Sequence, residues 1–96
     1  MSVGFVPYLG ERHHSTIGVG ATAVQLAPQR PNRKYLWIQN LGAAGISIGP
    51  ASVSTSGPAQ GLTLAGGEKF VDGWSSDAWY GVAATGTVNV AVVEVV

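Results

Sequence analysis

From Lys34 to Leu41 the side chains alternate: Leu36 and Ile38 fall on one side of an extended backbone, and Tyr35, Trp37 and Gln39 on the other. This predicts a strand whose Leu36 and Ile38 face a core, leaving Trp37 on the opposite face, where a large ring calls for cover. Short runs rich in Val, Ile, Thr and aromatics recur along the chain, with glycines between them. They predict strands at 16–19, 23–26, 34–41, 46–48, 62–64, 68–72, 78–84 and 87–95, about eight in all, and hence a single all-β sandwich or jelly roll. No window repeats with the period of a helix. Residues 42–45, Gly66-Gly67 and Thr85-Gly86 read as turns of hairpins that would pair the strands on either side of each. The stretch PASVSTSGPAQ reads as an irregular loop.

The two ends of the chain differ from its middle. In the last strand Val88, Val90 and Val92 share one face, and Asn89, Ala91 and Val93 the other; with Val95 and Val96, apolar residues occur on both. Such strands are normally buried on both sides, and in so small a domain the second cover would be another subunit. The first fifteen residues read as an extended arm preceding a 16–96 body. Phe5, Val6, Tyr8 and Leu9 stand among Gly4, Pro7 and Gly10, and polar residues 11–15 form the link. Four large apolar groups so close together point to docking on a neighbour or addition to a neighbour's sheet edge.

Composition strengthens the expectation of an assembly. A 96-residue chain buries only roughly 60–65% of its unfolded surface. It has no cysteine to staple it and two histidines, too few for a histidine-built metal cage. Association is the remaining common source of stability. Five basic and five acidic residues cancel, which argues against nucleic acid, whose binders replace phosphate counterions with a basic stripe. No apolar run is long enough for a membrane-spanning helix, and the N-terminus lacks the pattern of a secretory signal, so synthesis in the cytoplasm is expected.

Catalytic constellations are scarce. His13-His14 point opposite ways in extended chain and make a poor chelate. Asp72 and Asp77 flank Gly73-Trp74-Ser75-Ser76 and could serve as a glycosidase pair, but the same residues also close turns through local backbone hydrogen bonds. The glycine clusters precede no helix and so do not form phosphate loops. The serines at 52, 54, 56, 75 and 76 have no placed base. Trp74, Trp79 and Tyr80 offer rings for stacking on a sugar, or for packing. Asn40 is placed to bond the backbone of the following turn. Arg33 is placed to pair with Glu68, Asp72 or Glu94, across the sheet or across a subunit boundary, as a surface pair worth only about 0–1 kcal/mol. The chain is therefore expected to be no enzyme and to carry no cofactor or metal.

The segments GATAVQLAPQRPNRKYLWIQNLG, ISIGP, GLTLAGGEKF and AATGTVNVAVVEV, in that order, resemble a small module of tailed-phage virion proteins, found in head-decoration (cement) and head-fibre proteins. The resemblance covers residues 16–95 and leaves out the arm. It rests on Gln25, Leu26, Asn32, Arg33, Leu36, Ile38, Asn40, Gly61, Leu64, Gly67, Glu68 and Gly86, positions that are structural rather than catalytic. It implies a jelly-roll unit, usually trimeric, on the outer surface of a capsid. The absence of an appended fibre domain favours a bare decoration protein bound to the major capsid protein. Phe5, Val6, Tyr8 and Leu9 would grip the shell, and Arg33, Tyr35, Trp37, Trp79, Val93 and Val95 are the candidates for the subunit interface. The alternative is a tail or fibre component binding a host-surface glycan through Trp74, Trp79 or Tyr80.

Overall fold

The short apolar runs read from the sequence fold as eight strands. In the computed structural model, which describes residues 12–96, these are β1 (Arg12–Val19), β2 (Val24–Ala27), β3 (Tyr35–Asn40), β4 (Ile46–Gly49), β5 (Leu62–Leu64), β6 (Lys69–Asp72), β7 (Trp79–Ala83) and β8 (Val88–Val95). They build two four-stranded antiparallel sheets, sheet A in the order β1-β8-β3-β6 and sheet B in the order β2-β7-β4-β5. This interleaving is that of an eight-stranded jelly roll. Leu36, Ile38, Ile46, Ile48, Val19 and Val90 are wholly or almost wholly buried between the sheets, so Leu36 and Ile38 do face the core.

The three hairpins expected at the glycine turns do not form. β3 and β4 lie in different sheets, as do β5 and β6, and β7 and β8. Each turn is instead a corner that carries the chain from one sheet to the other. β4 and β5 alone pair with a strand adjacent in sequence, and between them runs the longest loop, residues 50–61, with a short 3-10 turn at Gly57–Ala59. Turn chemistry is local and serves corners and hairpins alike. The choice comes from burial: strands with one apolar face are closed most fully by two sheets set face to face.

Two corners lock together at Asn40. Its amide nitrogen donates to the Ala44 and Leu64 carbonyls at 2.8 and 3.0 Å, and its Oδ1 accepts from the Gly42 N–H at 2.8 Å. Its backbone N–H donates to Glu68 O, and the Gly67 N–H donates to Asn40 O. Glu68 closes its own turn by accepting from the Ala65 N–H at 2.7 Å, and Gly67 supplies the left-handed φ of 84° that the turn needs.

The arm boundary drawn at residue 15 is corrected. β1 begins at Arg12 and pairs with β8 along its whole length, Arg12 opposite Val95 and Val19 opposite Val88. Residues 12–16 are exposed, so no apolar alternation announced them; they are held by the backbone ladder to β8. Phe5, Val6, Tyr8 and Leu9 lie outside the described residues.

Gly61 is set so close under β4 that a Cβ there would overlap the Ile48 carbonyl oxygen and press on Val53. Gly61→Ala is therefore expected to lower stability by about 1–3 kcal/mol, the usual range for overpacking. Urea unfolding checks this, with Gly45→Ala as the comparison, since the nearest atom to its added Cβ would lie at 3.6 Å.

Candidate functional site

The two outer faces of the sandwich are finished differently. Residues directly opposite one another in an antiparallel ladder share a face. On sheet A, Val93 stands opposite Trp37 and Trp37 opposite Val71, while Val95 stands opposite Tyr35. All five point away from the core and form one band across β8, β3 and β6. Tyr35 is 50% exposed, Val71 46% and Trp37 38%, and Val93 and Val95 are half-buried. The Tyr35 and Trp37 rings lie parallel, 9° apart in plane with centroids at 6.2 Å. The register places Arg12 and His14 on the β1 side of this face and Lys69 on the β6 side. No carboxylate falls on this face among the described residues.

Sheet B is closed by its own loop. The outward residues Ser47 and Val82 are only 3% and 5% exposed. A Cβ at Gly49, whose face is the outer one, would meet Val53 at 3.2 Å, and Val53 is itself buried. The 50–61 loop therefore lies back over β4, leaving sheet A as the sheet with an open apolar face.

At one end of the sandwich a buried ion network braces the loop between β6 and β7. The Arg33 side chain is fully buried. Its Nη1 donates to Glu94 Oε2 at 3.2 Å and to the Pro28 carbonyl at 3.0 Å, and its Nη2 donates to the carbonyls of Ser75 and Asp77 at 3.1 and 2.6 Å. Arg30 Nε reaches both Glu94 oxygens at 3.3 Å, and its backbone N–H donates to Ser76 O. Asp72 Oδ1 accepts from the N–H groups of Trp74 and Ser75, both at 3.0 Å, and Ser75 Oγ accepts from Asp77 N–H at 3.1 Å. Trp74, on this heavily bonded loop, is 88% exposed.

The predicted residues therefore separate. Tyr35, Trp37, Val93 and Val95 meet on the open face of sheet A. Arg33 and Trp79 do not: Arg33 is inside the fold, and Trp79 packs on Phe70 with ring centroids at 4.8 Å. Arg33 bonds Glu94, one of its three expected partners, but as a buried pair rather than a surface one. An interface role for Arg33 is corrected to one of internal bracing, because the side chain is fully buried and both its terminal nitrogens bond carbonyls and a carboxylate of its own chain. Trp74, Trp79 and Tyr80 share no surface, since Trp79 points into the sandwich while Tyr80 sits opposite Gln25 on the outside of sheet B. Asp72 is buried and caps the loop, whereas Asp77 is exposed.

Val71 belongs to the band and was not singled out from the sequence. The signal was available: placing Phe70 and Asp72 inward forces Val71 outward beside Trp37. Among the described residues no group of three or more His, Cys, Asp or Glu could hold a metal, and no helix is long and apolar enough to cross a membrane. Comparison with protein-family models, with curated proteins and with solved structures returned no match.

Proposed function

We propose that the protein is a phage virion structural subunit, a capsid decoration protein that works as a homo-oligomer, in the expected case a trimer, on the major capsid protein. The observation that carries this reading is the open band of Tyr35, Trp37, Val71, Val93 and Val95 on sheet A, beside a sheet B closed by its own loop. Contiguous exposed apolar surface of this kind marks a contact with another protein. The sequence resemblance supplies the virion setting, and the apolar residues of the 1–11 segment supply a second grip on the shell. Several modest contacts acting together give strong attachment through avidity.

Light scattering at several concentrations tests the oligomer. A stable mass of three chains is expected, and Trp37→Glu combined with Val93→Glu should reduce it to one chain while the far-ultraviolet circular dichroism stays that of a folded β protein. A wild type that stays monomeric at high concentration refutes the oligomeric reading. Shell binding is tested with a chain lacking residues 1–11, which leaves β1 intact; unchanged capsid affinity removes the arm from the mechanism.

A second reading is favoured by one observation, the parallel Tyr35 and Trp37 rings. Aromatic platforms stack on sugar rings, and the cationic flanks of the face suit an acidic glycan. This reading moves the glycan site from Trp74, Trp79 and Tyr80 to sheet A. Tryptophan fluorescence titration with acidic oligosaccharides tests it, and a Trp37→Ala variant should lose the response.

A further inference from the structure

Trp74 and a cleft on the other side of the same sandwich end are complementary. The indole stands almost free of its own protomer at 88% exposure, yet its loop is not loose. Asp72 holds the N–H groups of residues 74 and 75, Arg33 holds the carbonyls of residues 75 and 77, and Arg30 holds that of residue 76. A large ring carried on a preorganised loop loses little freedom on binding, which is the condition for a strong anchor.

The cleft has a volume of about 360 Å³ and is lined by Gly49, Pro50, Asp77, Ala78 and Trp79. That lies near the lower end of the roughly 300–1,000 Å³ that seat ligands, the scale of one large side chain rather than a long peptide. Its lining is apolar apart from Asp77. A buried indole N–H usually finds an acceptor, and among the described residues the Asp77 carboxylate takes no hydrogen bond. The cleft lies where β4 ends and β7 begins, on sheet B, whereas Trp74 follows the end of β6, on sheet A. Gly73 rests against the Tyr35 ring, where an added Cβ would come within 3.2 Å, so Trp74 continues the rim of the open face.

We infer that the subunit contact is heterologous: Trp74 of one copy seats in the Gly49–Pro50–Ala78–Trp79 cleft of the next, with its indole N–H donating to Asp77. The inference rests on the homo-oligomeric reading above and identifies what the rim of the sheet A face meets. A contact between two different patches gives a ring when successive rotations close, and three copies related by 120° make the trimer.

The test uses two variants that each lack one half of the contact. Trp74→Ala removes the anchor, and Ala78→Arg blocks the cleft; Pro50→Arg, at an exposed rim position, replaces Ala78→Arg if that chain does not fold. Each alone should run as a monomer in light scattering, with its circular dichroism retained. Mixed, they should form a one-to-one dimer and nothing larger, because the mixture holds one intact anchor facing one intact cleft. Asp77→Leu should weaken the wild-type assembly by about tenfold or more, the effect of losing a hydrogen bond to a charged group, while Asp77→Asn, which keeps an acceptor, should restore most of it. If wild type is oligomeric and both single variants keep its mass, the anchor-in-cleft contact is wrong and the oligomer stands. If the two monomeric variants fail to dimerise on mixing, the pairing of these two patches is likewise wrong. If wild type is itself a monomer, both proposals fall together.

Discussion

Arg33→Met lowers the unfolding free energy by about 3–5 kcal/mol, the cost of leaving one member of a buried ion pair without its partner. The Arg33 side chain is fully buried and that of Glu94 is 6% exposed, so water cannot take over the lost bonds. The substitution strips the Ser75 and Asp77 carbonyls of their donor and takes from Glu94 its fully buried cationic partner. For a domain of this size the melting temperature should fall by roughly 12–40 °C, at about 4–8 °C per kcal/mol. The double variant Arg33→Met with Glu94→Leu should recover part of that loss, since removing both charges together removes the unpaired one. Scanning calorimetry of the two variants and the wild type decides. A double variant no better than the single one would mean that the carbonyl contacts, not the charge pair, carry the stabilisation.

Asn40→Ala is expected to cost about 2–4 kcal/mol, because each buried polar group left without a partner costs about 1–3 kcal/mol. Asn40 is fully buried, and its side chain serves the Gly42 N–H and the carbonyls of Ala44 and Leu64. Asn40→Asp should be at least as damaging: an ionised carboxylate has no donor to offer and would face two carbonyl oxygens. Urea midpoints of both variants measure this. An Asn40→Asp chain as stable as wild type would show that the corner repacks around it.

These two residues show how much could be read without coordinates. Arg33 and Asn40 stood out as polar residues beside the alternating strand, and their structural character was legible. Their burial was not. Polarity suggested a surface pair worth little; the structure places Arg33 under a loop whose carbonyls converge on it from residues 75 and 77. Nothing in residues 28–34 announces that convergence, because the partners lie more than forty positions away. Trp74 is a similar case. Its position in a turn was legible, and its almost complete exposure on a braced loop depends on Asp72 and Arg33 arriving from two other parts of the chain.

The residues behind the sequence pattern largely meet structural needs. Leu26, Leu36, Ile38 and Leu64 are core, Gly67 and Gly86 take positive φ, Gly61 admits no Cβ, and Asn40 and Glu68 tie two corners together. The sequence by itself determined the class of the fold, the number of strands and which side of β3 faces inward. Those follow from period-two alternation and from turn residues, which act within a few positions of each other. Only the tertiary structure decided that the glycine turns are corners and not hairpins, and that Arg12 to Ser15 extend β1. It also decided which sheet keeps an open face. These depend on which apolar faces close on one another and on which loop returns over which strand, choices made between residues far apart in the chain.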